Sequence, residues 1–124
     1  MSGSFLFIEA PGFTEVVSDY FGTDDNYAKF QTALAGNPEY GKVVAGAPPL
    51  RKARWSNPRL HSGKRGGLRV IYIHVPDVSV ILLLDVYEKR EVSDLSDKER
   101  RLLADLGKQS AEVIRKEYRR NEQK

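Results

Sequence analysis

Residues 68–89 read LRVIYIHVPDVSVILLLDVYEK, and no other stretch narrows the possible folds as much. Two β-rich runs, LRVIYIHV and VSVILLLDVYEK, flank Pro76-Asp77. Proline cannot donate to a sheet ladder and Pro-Asp favours a turn, so the runs are expected to pair as a hairpin. The Asn-Gly or Asp-Gly pair of the tightest hairpins is missing from the junction.

The rest of the chain must supply the layers around this hairpin. FLFIEA (5–10) stops at Pro11-Gly12 and reads as a first strand. In GFTEVVSDYF, Phe13, Val16, Val17 and Tyr20 recur at helical spacing. After Gly22, Thr23 can cap a second helix with Asp24 and Asp25 in its first turn and Tyr27, Phe30 and Leu34 on its buried face. The triplet GNP at 36–38 ends that helix. Pro48-Pro49 delivers an extended chain to LRKARW (50–55), a strand in which Leu50, Lys52 and Arg54 face one way and Arg51, Ala53 and Trp55 the other. A polar, glycine-rich loop, SNPRLHSGKRGG, leads into the hairpin. The last segment reads as a long helix: Ser96 and Glu99 form a capping box, and Leu102, Leu103, Leu106, Val113 and Ile114 form an apolar stripe. The order is β-α-α-β-β-β-α. It predicts one α+β domain over residues 1–124, a mostly antiparallel sheet with two N-terminal helices and a C-terminal helix packed on one of its faces.

Charge is distributed unevenly. From Tyr40 to Pro76 there is no Asp or Glu, while Lys42, Arg51, Lys52, Arg54, Arg59, Lys64, Arg65 and Arg69 supply eight cations. The formal net charge is only +3 because residues 1–39 carry six acids against one base. Such a segment is the electrostatic footprint of a polyanion binder.

Other functional classes are excluded by what the chain lacks. Without cysteine there is no disulfide, thiolate metal site or thiol catalysis. His61 and His74 have no partner at metal-ligand spacing, so neither a metal nor a cofactor is expected. GKRGG is not a phosphate-binding loop, since position 58 is proline and no Ser or Thr follows Lys64. MSGSFLFIEA has no basic start and only a short apolar run, and VILLL (80–84) falls far below the roughly 20 residues of a membrane span, so a cytoplasmic protein without membrane contact is expected.

Lys, Arg, Tyr and carboxylates still suffice for one reaction. RNA carries its own nucleophile, the 2′-hydroxyl, so cleavage needs only a proton acceptor, cations to stabilise the phosphorane and a donor to the leaving 5′-oxygen. Arginine offers bidentate donors to phosphate, and aromatic rings among cations can stack unpaired bases. Trp55, Tyr72 and Tyr87 lie on or beside the basic strands, although Tyr72, inside an apolar run, fits a core position. The residues point to a nucleic-acid surface that could cut RNA.

The pieces LRKARW, GKRGGLRVIY, the apolar strand ending YEK, and EVSDLS before the last helix resemble the RelE/HigB superfamily of bacterial type II toxins, and its HigB-like branch most. The likeness spans about residues 48–100. It implies a RelE-like fold and a metal-independent mRNA endonuclease that works in the ribosomal A site and inhibits translation. It also implies a cognate antitoxin, a helix-turn-helix DNA-binding protein. Carried over by position, the family's basic residues fall on Lys52, Arg54, Lys64, Arg65, Arg69, Lys89 and Arg90; of these Lys64, Arg69 and Lys89, joined by Tyr87, are the expected catalytic residues. Arg51, Lys52, Arg54, Trp55, Arg65 and Arg90 are the expected RNA contacts, and Glu91 could orient a neighbouring cation. The tyrosine that many relatives carry soon after the last strand is replaced here by Ser96, which leaves Tyr87 and Lys89 as candidates for the 2′ proton. The alternatives are a non-catalytic relative, such as a ParE-like inhibitor of DNA gyrase, and a plain RNA- or DNA-binding module.

Overall fold

The computed structural model describes residues 5–58, 67–92 and 94–122. Its elements are β1 (Leu6–Glu9), α1 (Pro11–Phe21), α2 (Asp24–Gly36), β2 (Lys42–Val43), β3 (Arg51–Trp55), β4 (Leu68–Val75), β5 (Val80–Glu88) and α3 (Asp97–Glu122). The five strands form one sheet in the order β1-β5-β4-β3-β2. All neighbours run antiparallel except β1, which lies parallel to β5. This is the expected α+β arrangement with one addition, the two-residue edge strand β2.

The hairpin is the β4–β5 pair. Its turn is a 3₁₀ turn, Pro76–Val78, closed by Ser79 in the left-handed region at φ 55°. A left-handed serine supplies the reversal that Asn-Gly provides elsewhere, and the Ser79 carbonyl accepts a bond from the Leu6 N–H at 3.0 Å. Capping follows the sequence too. Asn26 N–H donates to Thr23 Oγ1 at 3.1 Å. The Ser96 and Glu99 side chains accept each other's backbone N–H groups at 3.1 and 2.9 Å.

The helices divide between the two faces of the sheet rather than sharing one. Phe13 and Phe21 of α1 and Phe30 and Leu34 of α2 pack with Ala53, Leu68, Val70, Tyr72, Ile81, Leu83 and Val86. Ala104 and Ala111 of α3 pack with Ile71, Ile73, Val75, Val80, Leu82 and Leu84 on the other side. The reason lies in β4 and β5, which carry apolar side chains on both faces and so require cover on both.

The apolar stripe of α3 also departs from expectation. Leu103 and Ile114 flank the core, but Leu102, Leu106 and Val113 are 60%, 44% and 60% exposed. The sheet is met instead by the small residues Ala104, Gly107 and Ala111, all buried. A Cβ at Gly107 would stand 2.0 Å from Ile73 Cδ1, so the helix axis lies too close for leucines on that face.

Candidate functional site

Three strands deliver cations and a tyrosine to the face of the sheet that α3 partly covers. On β3 the alternation predicted from sequence holds: Ala53 and Trp55 pack toward α1 and α2, which turns Lys52 and Arg54 to the α3 side. On β4 the α3 side carries Arg69, Ile71 and Ile73. On β5 strict alternation from Leu82 and Leu84 would bring Val86 to this face. The register slips between Ile71 and Tyr72: Ile71 pairs Asp85 and Tyr72 pairs Leu83, leaving Leu84 as an extra residue. That bulge reverses the alternation, so Val86 joins the α1–α2 core and Tyr87 joins the α3 side.

The result is a row across the sheet, with Arg54 directly opposite Arg69 and Arg69 directly opposite Tyr87. One strand further out, Lys42 stands opposite Lys52. Directly opposed side chains have Cβ atoms about 4.5–5.5 Å apart, and like charges there are destabilising. Two such cation pairs concentrate positive charge on this part of the sheet. Beside them Tyr40, Lys42, Lys52 and Arg54 line a shallow cavity of about 260 Å³. The Tyr40 hydroxyl donates to the Arg54 carbonyl at 2.9 Å and fixes the ring there. Tyr40 precedes the basic strand in sequence, and nothing in its local pattern marks it as part of this surface.

Arg69 is only 3% exposed and donates from Nη1 to the Leu68 carbonyl at 3.2 Å. Burial, reinforced by Arg54, lowers its pKa from the ordinary arginine value. Tyr87 is 6% exposed, and among the described residues its hydroxyl has no hydrogen-bond partner. Burial, then the carboxylate of Asp94, pushes the phenol up to about 12, so it stays protonated at neutral pH. The mouth of the row is framed by a charge network. Asp94 accepts from Lys52 Nζ at 3.4 Å and from Arg100 Nη2 at 2.9 Å, and Arg100 lies 3.7 Å from Asp97. Neither Asp94 nor Arg100 is marked by the sequence, because they meet Lys52 only through the fold.

The other residues singled out from sequence lie elsewhere. Arg51 faces the α1–α2 side, where it donates to the Gly41 carbonyl at 2.7 Å and lies 4.0 Å from Glu39. Trp55 packs edge-on against Phe30 with ring centres 5.2 Å apart. Arg90 is held by Glu88 at 3.0 Å, beside a cavity that Tyr20 and Glu91 also line. Glu91 bonds Tyr20 and, after burial, is the main cause of that phenol's raised pKa. Lys89 is exposed, and its N–H continues the ladder to the Gly67 carbonyl at 3.1 Å. Tyr72 is fully buried, its hydroxyl donating to the Pro38 carbonyl and accepting from the Gly41 N–H, both at 2.8 Å. Arg59, His61, Lys64 and Arg65 lie outside the described residues.

No family model matches the chain. Among solved structures it is similar to a mutant of the E. coli toxin RelE in the free state, at 12% identity and a TM-score of 0.48, over 73% of this chain and 90% of that one. No helix among the described residues is long and apolar enough to cross a membrane.

Proposed function

We propose that the face bearing Lys42, Lys52, Arg54, Arg69 and Tyr87 binds and cuts RNA, and that the chain is the toxin of a type II toxin–antitoxin pair acting on mRNA in the ribosomal A site. The observation that carries the RNA-cutting reading is the Arg54–Arg69–Tyr87 row, two opposed guanidinium groups ending at a buried phenol. The motif resemblance between residues 48 and 100 supports the toxin reading, the A site as place of action and a helix-turn-helix antitoxin as partner.

In this reading the scissile phosphate sits over Arg54 and Arg69, whose donors stabilise the charge of the phosphorane. The 2′-oxygen attacks phosphorus, the bond to the 5′-oxygen breaks, and a 2′,3′-cyclic phosphate remains. Tyr87, protonated at neutral pH, is suited to donate to the departing 5′-oxygen and unsuited to take the 2′ proton. The 2′ proton passes to solvent, and Lys89, exposed at the end of β5, adds a cation beside the phosphate. Lys42 and Lys52 hold a neighbouring phosphate at the cavity that they line with Tyr40 and Arg54. Lys64 and Arg65, which fall between β3 and β4 in the sequence, add contacts to the RNA backbone.

Primer extension on an mRNA, with and without translating ribosomes, tests this. Cuts within the reading frame are expected only when ribosomes are present. Arg69→Met, which keeps side-chain length without charge, should abolish them while the protein stays folded. Undiminished cutting by that variant would sink the site assignment. No cutting by the folded parent chain would reduce the face to a binding surface.

A further inference from the structure

Leu102, Leu106 and Val113 lie along the outer side of α3, each of them at least 44% exposed, with Gln109 on the same line between the last two. Beside it runs a groove of about 410 Å³, lined by Ile8, Pro11, Leu82, Gln109, Val113 and Ile114 among others. Exposed apolar surface of this kind marks an interaction site. The helix is 26 residues long, about 39 Å at 1.5 Å per residue, ample for one helix to lie along another.

The charges flanking the line indicate what covers it. Lys98 and Glu99 stand at its N-terminal end, and Lys116 and Glu117 at its C-terminal end, all exposed. Laid against a second α3 in the antiparallel sense, Leu102 falls opposite the other copy's Val113, and Leu106 opposite its Gln109. The same register sets Lys98 against the other copy's Glu117, and Glu99 against its Lys116. Each half of the surface is therefore the charge complement of the other half, as a two-fold interface requires. A parallel arrangement would oppose lysine to lysine and glutamate to glutamate. A foreign partner would not need a surface complementary to itself. Leu102 and Leu106 of one copy would enter the groove beside Val113 and Ile114 of the other.

We propose that the chain forms a symmetric dimer through antiparallel packing of α3 on α3, with the apolar line at its centre and the Lys98–Glu117 and Glu99–Lys116 pairs at its ends. The interface leaves the Arg54–Arg69–Tyr87 row uncovered, because the buried side of α3, not its outer side, faces the sheet. It stands or falls independently of the RNA reading.

Sedimentation equilibrium on the full chain tests the proposal. The parent chain should sediment at twice its own mass at concentrations up to about a tenth of a millimolar. Leu106→Glu should sediment as a monomer with an unchanged circular dichroism spectrum. Lys98→Glu should weaken association at least tenfold, and adding Glu117→Lys to it should restore dimers by returning opposite charges to both ends. A monomeric parent chain would overturn the proposal and leave the line for a different protein. Dimers that persist in Leu106→Glu would overturn it as well, by placing the interface elsewhere.

Discussion

The Tyr87 hydroxyl is buried and unbonded among the described residues, as is Nε of Arg100 beside it in the Asp94 network. A buried hydroxyl without a partner costs stability, so Tyr87→Phe should melt at the same temperature as the parent or a few degrees higher. Cleavage should nevertheless fall about a hundredfold, the usual contribution of a positioned proton donor. A variant that loses stability and keeps activity would make Tyr87 a packing residue. Asp94 offers a second test. Burial alone would raise its carboxyl, but the Leu95 N–H, Lys52 and Arg100 hold it below its ordinary value. A depressed acid stabilises the fold above its unfolded pKa, about 3.9 for aspartate, and that contribution fades as pH falls through the lower folded value. Asp94→Asn should therefore melt below the parent at pH 7, with the difference shrinking as pH falls below the unfolded value of about 3.9. The same change releases Lys52 and Arg100, so RNA binding at neutral pH should tighten several-fold, measurable by fluorescence anisotropy.

At the scale of elements, the strands and helices were legible because period, caps and breakers agree: Thr23 and Ser96 both cap as their positions require. What escaped was which way two elements face. The bulge at Leu84 rests on no glycine or proline, so strict alternation along β5 aims Tyr87 away from the site that it joins. On α3, leucine spacing suggested a buried stripe, while the approach distance is set by Gly107 and the alanines around it. Gly107→Ala gains roughly 1 kcal/mol of helix propensity but forces a methyl into Ile73, and overpacking of this kind costs about 1–3 kcal/mol. The variant should melt several degrees below the parent. Gly107→Ala with Ile73→Val, which removes the Cδ1 that the new methyl meets at 2.0 Å, should recover most of the loss. Equal losses in the single and double variants would mean that Ile73 does not set the spacing.

Across the whole molecule the sheet separates charge that the sequence only hints at. Residues 40–76 announce a basic surface by composition, yet Arg51 and Lys52, adjacent in sequence, leave on opposite faces. Behind the sheet, Asp19, Glu88 and Glu91 gather around a cavity of about 440 Å³ against α1. Arg90 lines the same cavity and pairs with Glu88, so on this side the cations are matched by carboxylates, whereas the β2–β4 row on the other side sets cation against cation. The parallel pairing of Leu6 with Val80 has a different consequence, for the order of assembly. The β4–β5 hairpin closes a short loop, whereas β1 finds its neighbour only across most of the chain, and distant closures are entropically slow. During synthesis the first strand must wait until β5 has emerged, and the pair α1–α2 has no complete surface to settle on until then. Anything that holds the waiting N-terminal strand would delay the finished sheet, and with it the paired cations of β3 and β4.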